Sequence, residues 1–362
     1  MMMRFVKHSA SREQNGARSS YAEAQPAFAG TAKPIPYARS GRQLITLLMM
    51  LLTTATAWAD ITISTPAEWE TFATAVSNGT TYSGQTVTLA NDIEVTTMVG
   101  TSDHKFCGTF YGGGHTLTFN ATATDDGCAP FFAIDGATFT CLKVAGTINT
   151  GYQFAAGIAV HSSGDCTIQN CQSSITINSS KSGDSTHGGF VALEDNGSLT
   201  FTNCLMDGSI TGSNTTNCGG FVGWRNGTLT FSNCLMAGAL SISLDENSAT
   251  FNRNGGSMLN NCYYKGSYTN ATLQGAATSA TGSDLQTLLG SGWKVIANDV
   301  VVPIMDAKNL ATATISGSRY YLYTGDNIDI NYTVTAADGT VLTKGTDYTE
   351  TLSPSTVQEK GD

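Results

Sequence analysis

"GGFVGWRNGTLTFSNC", Gly219 to Cys234, has a near-duplicate 31 residues upstream in "GGFVALEDNGSLTFTNC", Gly188 to Cys204. Aligning on the closing Asn-Cys gives Asn170-Cys171, Asn203-Cys204, Asn233-Cys234 and Asn261-Cys262, spaced by 33, 30 and 28 residues. An earlier, degenerate copy carries Cys141-Leu142 in that place. Three residues before the Cys position stand Phe139, Ile168, Phe201, Phe231 and Leu259. Two residues after it come Val144, Ser173, Met206, Met236 and Tyr264, and six after it Ile148, Ile177, Ile210, Leu240 and Tyr268. A still earlier copy contributes Leu117 and Phe119.

The alternation inside each copy has period two, as in Leu229-x-Phe231, which marks a strand. One copy cannot bury such a face alone; stacked copies can, by placing like residues in continuous inner columns. Proline is nearly absent from the repeats, as a ladder of paired strands requires. The expected fold is all-β: a right-handed parallel β-helix of six coils, about 29 Å long at the ~4.8 Å strand spacing. Asn170, Asn203, Asn233 and Asn261 fall where one strand bends into the next, and stacked amides there can satisfy backbone groups at a tight corner. Cys171, Cys204, Cys234 and Cys262 read as small hydrophobes in a stacked column. Neighbours in register lie ~4.8 Å apart, beyond the ~3.5–4.5 Å Cβ separation of a disulfide. The chain has nine cysteines. Of these, Cys107, Cys128, Cys166 and Cys218 lie off the column and are freer to pair.

Residues 219–234 resemble the GLUG motif: a Gly-apolar-Val-Gly start, an Asn-Gly turn, alternating apolar residues and a final Asn-Cys. The copy at 188–204 departs at Ala192 and carries one extra loop residue, and the copy at 157–171 has "SSGD" where Asn-Gly belongs. "FCGTFYGGGHTLTF" (Phe106–Phe119) is similar to the first coil of such secreted bacterial proteins. The resemblance covers about residues 61–305. It implies a pectate-lyase-like β-helix on a bacterial surface protein and says little about activity, because GLUG repeats accompany other activities, IgA-cleaving metallopeptidase domains among them.

The two ends read differently. Arg39 and Arg42, the apolar run Leu44–Leu52 and the small-x-small site Ala57-Trp58-Ala59 form a signal-peptide pattern with cleavage before Asp60. Residues 1–59 are thus a leader and signal peptide, and 60–100 an N-terminal cap with a short helix: Thr65 at N-cap, Pro66 at N1, Glu68 at N3, and Trp69, Phe72, Ala73 and Val76 on one face. The β-helix runs over 101–275 and a closing segment over 276–312, where Trp293 reads as a cap or core residue. Residues 313–362 alternate in short β runs and resemble the start of an Ig-like module. The whole chain carries a net charge of −10; its first 59 residues hold 7 basic and 2 acidic residues, leaving 11 and 26 and a mature charge of −15. Such a balance argues against nucleic acid and anionic membranes as partners. It also makes a cluster of calcium-binding carboxylates the sharper alternative to acidic solubility. No membrane insertion is expected after signal cleavage.

Catalysis on such a coil needs acids in register across one groove. The candidates are Asp125 and Asp126, between the first two coils, and Glu194 and Asp195, ahead of Asn196-Gly197. The loop equivalent to Glu194-Asp195 in the next coil reads as Trp224-Arg225, and the coil before offers His161 and Asp165. Arg225 and Arg253 have few acids beside them. No HExxH, CxxC, Gly-x-Ser-x-Gly or phosphate loop appears, so neither a metal nor another cofactor is expected. Trp224, whose equivalent one coil earlier is Leu193 or Glu194, reads first as a cover for the coil edge; with Arg225 it is also the candidate contact for a sugar ring or a partner side chain. The sequence therefore reads as a non-catalytic, exported protein of the cell surface or medium, binding host or environmental glycans or surface proteins. A polysaccharide lyase or glycoside hydrolase is the alternative, and an accessory fragment of a large surface protease the third reading.

Overall fold

Alternating apolar residues are buried here by laying each copy in register on the next. The computed structural model describes residues 60–243, 245 and 247–305, with the strands Thr314–Gly317, Tyr332–Thr335 and Val341–Leu342. The first of these stretches form a parallel β-helix of about seven stacked turns, against six expected, because Ile61–Ile63 and Thr86–Leu89 add strands ahead of the first recognisable copy. Face one holds eight strands: those two, then Thr109–Tyr111, Thr138–Thr140, Asp165–Gln169, Ser198–Thr202, Thr228–Ser232 and Met258–Asn260. Face two runs from Ile93–Val95 through Thr116–Phe119, Lys143–Thr150, Gln172–Ser179, Leu205–Met206 and Leu235–Met236 to Tyr263–Tyr264 and Ala276–Ala277. Face three has Phe131–Asp135, Ala159–Ser163, Val191–Glu194 and Val222–Arg225.

The register makes the inner columns explicit. Val87, Phe110, Phe139, Ile168, Phe201, Phe231 and Leu259 pair in succession on face one. Phe201 and Phe231 stack with ring centroids 4.9 Å apart and planes 9° apart. Phe190, Phe221 and Phe251 form a second stack from face three, and Phe221 meets Phe201 edge-on at 5.6 Å. Each such pair adds ~0.5–1.5 kcal/mol beyond burial. On face two Leu117, Val144, Ser173, Met206, Met236 and Tyr264 form one column. Its buried polar member, Ser173, donates to the Gly189 carbonyl at 2.6 Å. Ala121, Ile148, Ile177, Ile210 and Leu240 form the next. Phe119 belongs elsewhere, in register with Val95 and over Gly146.

None of the nine cysteines is in a disulfide, the off-column four included. Cys166 has a column of its own, since it pairs with Leu199. Burial pushes the Cys128 and Cys166 thiols up to about 11 and that of Cys218 up to about 12. Such thiols stay protonated and are poor nucleophiles at neutral pH.

Three corners separate the faces, and each uses left-handed backbone. Between faces one and two stand Cys141, Asn170, Asn203, Asn233 and Asn261, with φ from 51° to 55°. Asparagine tolerates this region better than other side chains. Asn203 donates to the Asn170 amide oxygen, and Asn261 to that of Asn233, both at 2.9 Å. Between faces two and three the equivalent residues are Gly127, Phe154, Thr186 and Asn217, with φ of 98°, 66°, 48° and 59°. Gly136, Gly164 and Gly197 turn the third corner at 60°, 65° and 95°.

Helix α1 (Pro66–Ser77) caps the first turns. Its box is complete, with the Thr65 hydroxyl accepting from the Glu68 N–H and the Glu68 carboxylate accepting from the Thr65 N–H. Trp69, Phe72, Ala73 and Val76 are buried, and the Trp69 ring meets Phe110 and Phe131 edge-on. Residues 268–277 cover the last coil: Gln274 exchanges hydrogen bonds with the backbone of Phe251 and Asn252. Helix α2 (Gly282–Leu289) and the antiparallel pair Trp293–Val295 and Val301–Pro303 pack instead on the outside. There Leu285, Leu289 and Trp293 make a small core with Leu205 and Leu235, and Trp293 donates to the Asn233 carbonyl at 3.0 Å. The three later strands form an antiparallel sheet. The leader and signal peptide expected at 1–59, and most of the Ig-like segment expected at 313–362, lie outside the described residues.

Removing a ring from the stacked column leaves a cavity that its neighbours cannot fill. Phe231→Ala is expected to cost ~3–5 kcal/mol in urea unfolding; a loss below about 1 kcal/mol would contradict the column. A second expectation concerns the thiols: eight of nine are buried, Cys107 being the half-buried exception. Titration with a chromogenic disulfide should therefore detect at most one thiol in native protein and all nine in denaturant.

Candidate functional site

Register decides what the outside of the coils presents, because each residue of a strand is repeated one coil on. On face three Ala133, His161, Leu193 and Trp224 are in register, and the last three are half-buried. Trp224 thus aligns with Leu193, one of the two equivalents the sequence offers, and Glu194-Asp195 aligns with Arg225-Asn226 rather than with Trp224-Arg225. His161 lies 5.5 Å from the Phe132 ring and 6.0 Å from the Phe154 ring. Both phenylalanines are half-buried against Ala129, Ala156, Val160 and Ala192, a small apolar cluster separate from the main core. Phe132, Phe154, His161 and Trp224 therefore form a strip of ring side chains on this side of the coils. His161 and Trp224 are two coils, or about 10 Å, apart.

The strip is held by specific contacts. Phe154 occupies the left-handed region, where a bulky L-residue is strained by ~1–2 kcal/mol. Its backbone is pinned on both sides, its N–H to Ser185 and its carbonyl to Cys128. His161 Nδ1 lies 3.1 Å from the Asp195 carboxylate. The Trp224 indole donates to the Asn226 side chain at 3.0 Å, and the Arg253 guanidinium sits 4.7 Å above its ring. Arg253 is fixed by two hydrogen bonds to Asp184, at 2.6 and 2.9 Å, and one to Thr186 at 2.7 Å. Burial raises the Asp184 pKa, but the bonds from Arg253 and Thr186 outweigh it and hold the carboxyl below its ordinary value. The sequence places few acids beside Arg253 because Asp184 is 69 residues away along the chain.

The structure separates the acid candidates. Asp125 and Asp126 are exposed in the passage from face two to face three, and Asp126 accepts from the Gln153 N–H at 2.8 Å. Glu194 is buried at the end of face three. Its carboxylate accepts from the backbone N–H groups of Asn226 and Gly227, the turn of the following coil. Burial raises its pKa, and those two N–H groups oppose the rise. Arg225 is committed to backbone carbonyls, through Nε to Gly255 and through a terminal nitrogen to Gly227, both at 2.6 Å. Among the described residues no three His, Cys, Asp or Glu side chains are grouped to hold a metal ion. No described helix is long and apolar enough to cross a membrane.

Two further features escape sequence reasoning. A shallow groove of about 440 Å³ runs outside face two, lined by Ser174, Thr176, Asp207, Ser209 and Lys265 among others. Its charged groups are already satisfied: Asp207 accepts from Ser174 and Gln172, and Lys265 donates to the Ala280 carbonyl. His187 is fully buried, with Nδ1 accepting from the Ala155 N–H and Nε2 2.9 Å from the Ser179 hydroxyl. Nothing in "STHGGF" marks this histidine as interior, and nothing in "GYQFAAG" marks Phe154 as a left-handed corner.

No family model and no curated protein matches the chain, so the GLUG-type resemblance stands as a likeness of motif. Among solved structures, one from Bacteroides ovatus described as a "putative immunoglobulin A1 protease" is similar at 16% identity. It covers 68% of this chain and 92% of that chain with a TM-score of 0.44, a likeness too loose to carry an argument.

Burial pushes the His187 pKa down to about 3, whereas the unfolded chain titrates near 6.5. Between those values the unfolded state binds a proton that the folded state refuses. This histidine therefore costs stability as pH falls below 6.5, by up to roughly 5 kcal/mol near pH 3. His187→Gln should flatten the acid limb of a stability–pH profile relative to wild type; an unchanged difference from pH 7 to 4 would contradict the neutral, buried assignment.

Proposed function

We propose that this chain is a non-catalytic, exported or cell-surface β-helix that binds carbohydrate by stacking sugar rings on the strip formed by Phe132, Phe154, His161 and Trp224. The observation that carries the reading is the strip itself. Four half-buried rings lie along one side of the coils, anchored by the Asp195–His161 and Asp184–Arg253 pairs. Pyranose rings present an apolar face to such rings and hydroxyls to their flanks. Asp195 and Asn226 stand beside the rings as polar partners, and a net-negative protein suits neutral sugars better than acidic ones. The dispersal of the acids favours binding over a carbohydrate-active enzyme: Glu194 fastens a turn, Asp126 a neighbouring coil, and Asp195 a histidine.

The test is a glycan array of neutral and acidic oligosaccharides probed with the exported chain. Binding to at least one neutral glycan is expected, falling about tenfold or more in Trp224→Ala and in His161→Ala. No binding by wild type, or unchanged binding in both variants, would reject the strip as the site. Release of reducing ends or unsaturated uronate from the same glycans would reject the non-catalytic reading.

A further inference from the structure

Face one has a different exterior. Thr86, Thr109, Thr138, Thr167, Thr200 and Thr230 stand in a single column, each paired with the next. The residues between them and their outer neighbours, from Val87 and Phe110 to Phe201 and Phe231, point inward and are fully buried, so the six threonines point out. Two residues further along each strand lies a second outward column of Thr88, Tyr111, Thr140, Gln169, Thr202 and Ser232. All twelve side chains are half-buried, and none carries a charge.

Strand propensity favours threonine, but it does not account for six identical residues in succession. The outward column of face two, built on the same coils, runs Thr116, Lys143, Gln172, Leu205, Leu235 and Tyr263. Its first three members are three different residues, so a strand there does not demand threonine, while Leu205, Leu235 and Tyr263 serve the outer core beneath helix α2. The inner column holds each threonine in place, so the face is a rigid lattice with a repeat of ~4.8 Å along the axis and ~6.7 Å across it.

The dimensions and the charge select the occupant. Six strands span about 24 Å, and two columns with their side chains cover roughly 250 Å². A stable protein interface needs about 800 Å² per partner, so neither a second copy nor a folded protein is held by this face alone. What fits is long, narrow, uncharged and repeating, with groups that donate and accept as the threonine hydroxyl does. A neutral polysaccharide in an extended conformation has these properties, since each sugar advances the chain by about one coil. The threonine methyls would cover ring C–H groups, and Tyr111 offers a ring for stacking. We propose that this face adsorbs an extended neutral polysaccharide lying parallel to the helix axis. The surface is distinct from the aromatic strip and does not depend on it.

The exported chain would be mixed with insoluble cellulose, chitin and β-1,3-glucan, and with immobilised polygalacturonate as the acidic control, in low and in high salt. Adsorption to at least one neutral polymer is expected, with little salt dependence because the twelve contacting side chains carry no charge, and none to polygalacturonate. Thr167→Glu and Thr200→Glu should each reduce it about tenfold or more, whereas Thr167→Ser and Trp224→Ala should retain it. If a glutamate variant melts early, Thr167→Asn, bulkier but uncharged, takes its place with the same expectation. Absence of adsorption, or adsorption that survives the glutamate variants, would overturn the proposal. So would loss in Trp224→Ala alone, which would assign the polymer to the strip. An ordered plane of hydroxyls also has ice as a rival occupant: arrest of ice-crystal growth without adsorption to any polysaccharide would overturn it too.

Discussion

The stacking of Phe201 on Phe231 sets the register on which everything else depends. A slip of one residue between coils would turn the inner column outward and bury threonines in its place. The penalty is paid by every coil at once, because Phe110, Phe139, Ile168, Phe201 and Phe231 share one column and the rings of face three interlock with it edge-on. Outward residues contribute little to that choice. They inherit positions fixed from inside, which is how a soft polar side chain such as Thr167 comes to occupy a hard lattice point.

Coils in register must also turn in register, and the corners show what this demands of the backbone. At the first corner asparagine meets the demand directly, since its short amide tolerates the left-handed region and bonds to its own kind one coil away. The ladder is interrupted between Asn203 and Asn233, where the Asn203 amide oxygen is buried without a partner and Gly292 packs against it. Glycine there admits the later segment against the corner, because any side chain would collide with Asn203. The second corner has no such rule. Gly127, Phe154, Thr186 and Asn217 adopt the same backbone with four different side chains, so the stacked hydrogen bonds must hold Phe154 and Thr186 where their own preferences would not.

This contrast explains what was legible in the sequence. Inner columns repeat one residue class at one spacing, so Phe139, Phe201 and Phe231 could be read off directly, as could the α1 box at Thr65 and Glu68. The pairs that build the candidate site follow no spacing. Asp184 reaches Arg253 across 69 residues and Asp195 reaches His161 across 34, because a solenoid brings together residues from different coils and faces. His187 and Phe154 were hidden for the opposite reason: they occupy positions whose neighbours in register are unlike them, so no column betrays them. The C-terminal Trp293 could be recognised as buried, but not as belonging to a second core outside the coils.

The difference between the two most similar copies is then instructive. Where one has Leu193-Glu194, the next has Trp224-Arg225. Glu194 fastens the turn of the following coil by accepting from the N–H groups of Asn226 and Gly227. Arg225 fastens turns by donating to the carbonyls of Gly227 and Gly255. Opposite charges thus perform one structural task, each using the half of the peptide group that suits it, and the change from Glu to Arg needs no functional explanation. The change from Leu193 to Trp224 has no such equivalence. An indole there is wider than the coil requires, and the guanidinium of Arg253, itself paired with Asp184, sits over its ring. A ring fixed at this point by a separately anchored cation is a surface already organised before any ligand arrives, which lowers the entropy that binding must overcome.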